Sequence, residues 1–116
     1  MLFICYPKCS TCQKARKWLN EHKAKYTERN ISQDGPTFEE LKEWYTKSKL
    51  PMKKLFNTSG LLYKEMKLKD KLSDMPEEEQ LRLLAADGML VKRPILVDGD
   101  TVFFGFKEAA WVEIIK

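Results

Sequence analysis

The residues best suited to chemistry are two cysteines, Cys9 and Cys12, in the segment Cys-Ser-Thr-Cys near the start of the chain. A cysteine attacks as its thiolate, which is the minor form at neutral pH because the thiol has an ordinary pKa of about 8.5. Two thiols at this spacing are compatible with a reversible disulfide, with half of a zinc site, or with a pair of small buried side chains. We expect the redox use, because a C-x-x-C pair beside a strand and a helix in a cytosolic chain favours thiol-disulfide exchange.

The surrounding sequence predicts that Cys9 lies at the start of a helix. Leu2 to Tyr6 form a nearly continuous apolar run, typical of a strand covered on both faces, and a proline ends it. Beyond this point the core-facing side chains recur every three or four positions, as on one side of a helix. They are Cys12, Ala15, Trp18, Leu19 and His22. The amides of a first helical turn carry partial positive charge, so those of Ser10, Thr11 and Cys12 are placed to bind the Cys9 sulfur.

We predict that Cys9 is the nucleophile and that Cys12 is the resolving thiol. Lys8 and, one turn into the helix, Arg16 are expected to add a cationic field that lowers the pKa of Cys9 further. Cys12 lies almost one helical turn later on the same side of the helix. It would therefore attack a mixed disulfide formed on Cys9 and release the reduced partner.

A structural zinc site would need two further ligands, because a closed site has four. The other candidates are Cys5 and the single histidine, His22. Cys5 falls inside the predicted first strand, and we interpret it as a buried strand residue. His22 falls at the far end of the predicted helix, and we interpret it as a helix-end residue that touches the core. No metal is expected.

The remaining strand patterns predict the other half of a sheet. Tyr26 to Ile31 is expected to form a second short strand after the first helix. Pro94 to Val97 and Thr101 to Phe104 alternate in polarity around Asp98-Gly99-Asp100, whose Asp-Gly step is typical of an antiparallel hairpin. Lys107 to Ile115 is predicted to close the chain as a helix, with Ala110, Trp111 and Ile114 facing inward.

The segment between these halves, roughly residues 37–88, is expected to be a helical insertion. Thr37 and Glu40 match a capping box that starts one helix, and Leu55-Phe56 is expected to be a buried anchor. Asn57 to Gly60 either caps the next short helix or contributes to a site. Pro76 and three glutamates predict the start of a last helix, and Gly88 its end. The order β-α-β, helical insertion, β-β-α predicts an α/β fold with a four-stranded mixed sheet. Apolar residues follow the capping box at helical spacing, namely Phe38, Leu41, Trp44 and Tyr45. The next short helix is expected to carry Leu61, Leu62, Glu65 and Met66, and the last helix is expected to bury Leu81, Leu84 and Ala85.

The composition is typical of a globular protein with a modest positive charge. The formal net charge is +4, and no apolar run approaches the ~20 residues of a membrane span, so no membrane association is expected. Residues 42–71 are rich in lysine, which indicates either a solvated helical face or a surface for an anionic partner. This segment has no arginine and no nucleic-acid recognition motif, so direct nucleic-acid binding is not expected. The start of the chain lacks the features of a secretory signal, and we expect a cytoplasmic location.

Three stretches resemble the thioredoxin-like proteins of the ArsC/Spx group, which includes glutaredoxin-linked arsenate reductases. They are YPKCSTCQKARKWL, LFNTSGLLYKEM and LVKRPILVDG followed by VFFGF, and they span nearly the whole chain in the family's order. The resemblance implies a single thioredoxin-like domain over residues 1–116. It also implies that the peptide bond before Pro94 is cis and that Pro94 packs next to the cysteines, at a backbone edge where an extended substrate could pair.

The same resemblance implies roles for individual residues. By similarity to the arsenate reductases, Cys9 is the attacking cysteine and Arg93 is one of three arginines that hold the oxyanion. Asn57 and Gly105 stand at or near the positions of the other two. The Spx-like regulators carry a thiol matching Cys12, sense oxidants through the disulfide, and bind the C-terminal domain of the RNA polymerase α-subunit. From the sequence alone, Arg93 is also compatible with a surface residue that binds a carboxylate or the backbone.

We therefore expect a thiol-disulfide oxidoreductase in which Cys9 attacks and Cys12 resolves. No metal or organic cofactor is implied, and a thiol donor such as glutathione, glutaredoxin or thioredoxin would be a co-substrate. One alternative is an Spx-like redox-sensing regulator that binds the RNA polymerase α-subunit, and another is a glutathione- or glutaredoxin-dependent arsenate reductase. The residues expected to bind a substrate or an anion are Ser10, Thr11, Asn57, Arg93 and Pro94.

Overall fold

The computed structural model describes residues 1–114 and contains a four-stranded mixed sheet. The strands run in the order β2-β1-β3-β4, where β1 pairs parallel with β2 and antiparallel with β3, and β3 pairs antiparallel with β4. This arrangement confirms the predicted sheet. The strands are β1 (Leu2–Cys5), β2 (Thr27–Asn30), β3 (Ile95–Asp98) and β4 (Thr101–Phe104).

Six α-helices occur within residues 1–114, and short 3-10 turns at Met52–Leu55 and Leu72–Asp74 lie between helices, while a third at Gly88–Leu90 lies between a helix and a strand. The predicted capping box is present at the start of the second helix. The Glu40 amide donates to the Thr37 hydroxyl over 3.1 Å, and the Thr37 amide donates to the Glu40 carboxylate over 3.0 Å. The helices are α1 (Ser10–Glu21), α2 (Phe38–Ser48), α3 (Leu61–Glu65), α4 (Leu68–Lys71), α5 (Glu77–Ala86) and α6 (Glu108–Trp111).

Residues on alternate sides of the sheet belong to two separate hydrophobic clusters. In β1, Phe3 and Cys5 face a cluster with α1 and Trp111, whereas Ile4 faces a cluster built by the helical segments between β2 and β3. The period of two along the strand produces this division. Helix α1 therefore packs against one face of the sheet, and Cys9 lies just beyond the end of β1.

The hairpin between β3 and β4 has a two-residue turn. Asp98 pairs with Thr101, and Gly99 has φ +59°, a left-handed conformation that glycine adopts without a Cβ clash. The predicted hairpin is therefore confirmed. Among residues 1–114, no helix has both the length and the apolar character needed to cross a membrane.

Several predicted boundaries differ from the structure. Pro76 precedes α5 and is not its first helical residue. Helix α5 ends at Ala86, before Gly88, because the backbone of Asp87 is extended. Helix α6 ends at Trp111, since the turn that follows is no longer α-helical, and the predicted extension to Ile115 reaches beyond the described residues.

The predicted short helix is present as α3, and its apolar residues point in different directions. The Leu61 side chain is 72% exposed, while Tyr63, which was not predicted, is buried against Phe56 at a ring distance of 6.1 Å. The turn at Asn57–Gly60 rotates the start of this short helix so that Leu61 points to solvent. A five-residue helix is too short for its apolar spacing to predict that rotation.

Candidate functional site

Cys9 occupies the residue that immediately precedes α1, as predicted. Its backbone is extended, with φ −86° and ψ 124°, and its carbonyl accepts the first helical bond from the Gln13 amide over 3.0 Å. A turn closed by the Cys9 amide on the Tyr6 carbonyl, at 2.9 Å, joins β1 to the helix. The half-buried Cys9 sulfur therefore lies beside the unpaired amides of the first turn.

The Cys9 thiol has a pKa below its ordinary value. Partial burial raises this pKa, but the stabilising effect of the Cys12 amide, the Arg93 guanidinium, the Cys12 thiol and the Thr11 amide on the sulfur outweighs burial. Each of these donors stabilises the thiolate. The predicted role of the helix start is therefore supported for the Thr11 and Cys12 amides.

Cys12 has the opposite electrostatic character. It is fully buried, and burial is the main reason that its pKa rises to about 12, despite a bond from the Tyr6 amide to its sulfur at 3.3 Å. The negative charge of Cys9 raises the pKa of Cys12 further. At neutral pH the pair consequently consists of one readily ionised, accessible sulfur and one protonated, buried sulfur within hydrogen-bonding reach.

Arg93 is contributed to the site by the segment that leads into β3, and a cis peptide bond follows it. The Arg93–Pro94 bond is cis, as the resemblance implied, and Pro94 is buried. The guanidinium carbon of Arg93 lies 5.1 Å from the Tyr6 ring centroid, and one guanidinium nitrogen lies 3.5 Å from the Met89 sulfur. These contacts hold a half-buried guanidinium beside Cys9, whereas the alternative that the sequence left open was a surface residue bound to a carboxylate or the backbone.

Asn57 reaches the site through a backbone pairing that the sequence did not predict. Phe56 and Val91 form an isolated antiparallel bridge. On either side of it, the Asn57 amide donates to the Leu90 carbonyl and the Lys92 amide donates to the Leu55 carbonyl, each over 2.7 Å. This pairing fixes the Asn57–Gly60 turn beside the segment that leads to Arg93.

These elements enclose a cleft of about 260 Å³, here called the Cys9 cleft. Of the predicted binding residues, Thr11, Asn57 and Arg93 line the cleft together with Cys9. Ser10 is exposed outside the lining, and Pro94 lies buried beneath it. The lining also includes Ser59, Lys92, Phe104, Gly105, Phe106 and Lys107.

Lys92 and Lys107 are cleft residues that the sequence analysis missed. Lys92 directly precedes Arg93, which was a usable signal, but nothing local relates Lys107 to the cysteines. The Lys92 side chain crosses over Gly105, where an added Cβ would lie 3.1 Å from the lysine Cε atom. Gly105 has φ +94°, a conformation that strains any other side chain, so the backbone here is unsuited to the arginine that the resemblance placed nearby.

Arg16 was expected to add a cationic field at Cys9, and in the structure its direct partner is Glu28 in β2. Its guanidinium pairs with both Glu28 carboxylate oxygens, at 2.8 and 2.9 Å, and also contacts the Cys5 sulfur at 3.2 Å. Arg16 lies one turn into α1, and its side chain extends toward β2, which contains Glu28. Cys5 is fully buried, and its pKa is raised, mainly by burial and then by the Glu28 charge. Cys5 is thus the buried strand residue that was predicted.

The described residues provide no cluster of three or more histidine, cysteine or carboxylate side chains that could hold a metal. His22 was predicted to touch the core. Its exposed ring stacks on Trp18 at a centroid distance of 4.2 Å, at the opposite end of α1 from the cysteines.

Comparison with known proteins places this geometry in a family. A sequence model of the ArsC family matches residues 5–114. The Uncharacterized protein YusI of Bacillus subtilis is 54% identical over 113 residues, covering 97% of this chain and 96% of that protein. The Regulatory protein MgsR of the same organism is 29% identical, covering 100% of this chain and 90% of that protein. The Global transcriptional regulator Spx of Enterococcus faecalis is 32% identical, with coverages of 88% and 76%.

Solved structures agree with these relatives. An ArsC family related protein from Bacteroides fragilis superposes with a TM-score of 0.96 at 57% identity, covering 99% of this chain and 96% of that one. An arsenate reductase from Vibrio cholerae superposes with a TM-score of 0.83 at 26% identity, covering 98% of both chains. The sheet, the helix-start cysteine and these matches together show that the chain belongs to the ArsC family, with a thioredoxin-like fold.

Proposed function

We propose that the protein is a thiol-disulfide oxidoreductase that uses Cys9 and Cys12 as a redox pair. The observation that carries this proposal is the contrast within the pair: the pKa of Cys9 is lowered, whereas the pKa of its buried neighbour Cys12 is raised to about 12. Exchange needs a thiolate to attack and a second thiol that stays protonated until a mixed disulfide has formed. The pair meets both requirements at once.

The proposed reaction transfers two electrons. The Cys9 thiolate attacks one sulfur of a substrate disulfide, which forms a mixed disulfide and releases the other substrate sulfur as a thiolate. Loss of the negative charge on Cys9 removes one cause of the raised pKa of Cys12. Cys12 then loses its proton to solvent and attacks the Cys9 sulfur, which yields the Cys9–Cys12 disulfide and the second reduced substrate thiol. A cytoplasmic thiol donor, such as glutathione, glutaredoxin or thioredoxin, restores the reduced pair.

Trapping of the mixed disulfide tests the proposal. The Cys12→Ser variant, mixed with a disulfide-containing protein, is expected to accumulate a covalent adduct on Cys9 that dithiothreitol removes. The Cys9→Ser variant is expected to form none, and Cys5→Ser is the matched control that should react like the wild type. Adduct formation on Cys12 in the Cys9→Ser variant as fast as adduct formation on Cys9 in the Cys12→Ser variant would contradict the assignment of the nucleophile.

A second candidate is a redox-sensing regulator in which the same disulfide alters a binding surface. It is favoured by the similarity to MgsR and Spx over most of their lengths. In this case a partner such as the RNA polymerase α-subunit binds one redox state in preference to the other. Titration of the purified α-subunit with the reduced and the oxidised protein distinguishes the candidates, because an oxidoreductase without this role shows no saturable binding in either state.

Arsenate reduction is a third candidate with weaker support. Asn57 and Gly105 stand at or near positions where the resemblance implied arginines, so Arg93 alone would offer a guanidinium to the oxyanion. We expect arsenate to cause little consumption of glutathione and glutaredoxin reducing equivalents by this protein. Consumption in proportion to arsenate, lost in Arg93→Met, would reverse this expectation.

A further inference from the structure

We propose that the substrate is a protein disulfide flanked by acidic residues, and that a continuous basic groove binds the acidic segment while Cys9 attacks. This inference deepens the proposed function and rests on it, because it names the class of disulfide that the redox pair reduces. The groove consists of the Cys9 cleft and a second cleft beside it.

The second cleft, here called the lysine cleft, has a volume of about 380 Å³. It is lined by Lys53 and Lys54 of the 3-10 turn after α2, by Thr58, and by Pro51 and Phe56, which contribute apolar surface. Lys92 lines both clefts. The two depressions are therefore adjacent, and in the proposed groove the path toward Cys9 runs past this side chain.

The charge along this path is not compensated by the chain itself. Four lysines line the groove, namely Lys53, Lys54, Lys92 and Lys107, and no carboxylate lines either cleft. Among residues 1–114, none of the four forms an ion pair, whereas Lys47 pairs with Glu43 and Asp100 elsewhere on the surface. The nearest acid in sequence, Glu108, lines a third cleft with Glu21, Lys14 and Lys17, and Phe106 lies between that cleft and the Cys9 cleft.

An extended acidic chain fits this groove better than a small anion. A small anion bound beside Cys9 would be held by Arg93 and Lys107 and would leave Lys53 and Lys54 unused on the far side of Lys92. A peptide continues past Lys92 and places carboxylates against both sets of cations. Uncompensated lysines of one sign also attract an oppositely charged partner before contact, so the effect appears chiefly in the association rate.

The redox step needs no additional reagent. The Cys9 thiolate attacks the cysteine sulfur of the acidic peptide, and Cys12 then closes the Cys9–Cys12 disulfide, so that one peptide disulfide becomes two peptide thiols. The two electrons come from the reduced cysteine pair, and the Cys12 proton passes through solvent to a released peptide thiolate. A single turnover of pre-reduced protein is therefore sufficient for measurement.

The test compares two disulfide-linked peptide dimers of equal length, one with four glutamates and one with four lysines around each cysteine. Each rate is divided by the rate at which dithiothreitol reduces the same peptide, which removes differences in intrinsic reactivity. At low ionic strength we expect the normalised rate for the acidic dimer to exceed that for the basic dimer on the order of tenfold. In about 0.5 M salt the ratio is expected to approach one.

Charge reversal within the lysine cleft provides the second arm. The Lys53→Glu/Lys54→Glu variant is expected to lose most of the preference for the acidic dimer. The Lys25→Glu/Lys42→Glu variant changes the net charge equally at exposed sites outside both clefts, and it is expected to keep the preference.

The outcomes separate the two claims. Equal normalised rates for both dimers, or an equal loss of preference in both double variants, would overturn the docking groove and leave the oxidoreductase intact. Failure to reduce either dimer would contradict the proposed function, and the groove proposal with it.

Discussion

Replacement of Arg93 by methionine measures how much of the thiolate character of Cys9 comes from one side chain. Methionine keeps an unbranched side chain at this position but removes the guanidinium that donates to the Cys9 sulfur. A hydrogen bond to a charged group contributes about 1.5–3 kcal/mol. Because Cys9 is half-exposed and water screens the interaction, the low end applies, about 1.5 kcal/mol, which is roughly tenfold in the ratio of thiolate to thiol.

The expected change in rate is smaller than the change in ionisation. A less stabilised thiolate is a better nucleophile, with a Brønsted coefficient of about 0.4–0.5, which recovers a factor of about three. At a pH below the pKa of Cys9 in both proteins, iodoacetamide alkylation of Cys9 should therefore slow roughly threefold. Mass spectrometry of the Cys9 peptide over a range of pH gives both the rate and the direction of the pKa change, which is upward in the variant.

Arg82→Met is the matched control, because Arg82 pairs with Glu78 on the exposed side of α5 and does not line the Cys9 cleft. This control should leave the alkylation profile of Cys9 unchanged. If Arg93→Met unfolds at the wild-type temperature and yet its Cys9 profile also coincides with the wild type, the inferred contribution of the guanidinium is refuted.

Three further results are expected. Cys5, fully buried and with a raised pKa, should resist iodoacetamide in the folded protein at pH 8 and react only in denaturant; rapid modification without unfolding would contradict its placement. Trp111→Ala should lower the free energy of unfolding by about 3–5 kcal/mol in a denaturant titration, because this buried ring packs between the sheet and α1. Leu61→Ala is the control at a 72% exposed position, and it should change the free energy of unfolding by less than about 0.5 kcal/mol. Glu40→Gln keeps the capping box but removes the ion pair with Arg29, whose hydrogen bonds lower the Glu40 pKa. The wild type should have a higher free energy of unfolding than the variant above about pH 4.3, and this difference should disappear as the pH falls through the lowered pKa. A difference in stability that persists in acid would refute the pairing.

The sequence predicted the parts of the site that depend on local chain geometry. An apolar strand, a turn and a helical repeat are enough to place Cys9 before α1, and the same pattern buries Cys12. The hairpin follows from its Asp-Gly step. The position of Arg93 beside a cis bond was available only through the resemblance, because no local pattern predicts the isomer before Pro94.

The parts that the sequence could not predict depend on contacts between distant segments. The bridge between Phe56 and Val91 joins residues 35 positions apart, and it alone brings the Asn57 turn to the cysteines. Arg16 was expected to act on the Cys9 sulfur, and in the structure it pairs with the carboxylate of Glu28. The partner of Arg16 depends on how α1 lies relative to β2, and no local sequence pattern predicts that arrangement.

The pH dependence of Cys9 alkylation in the otherwise unmodified, reduced protein tests the central claim most directly. We expect an apparent pKa for Cys9 clearly below that of a cysteine in an unstructured peptide with the same flanking residues, measured under identical conditions. Cys12 should be unreactive over the same pH range. An apparent pKa for Cys9 equal to or above that of the peptide, or a Cys12 that reacts as fast as Cys9, would contradict it.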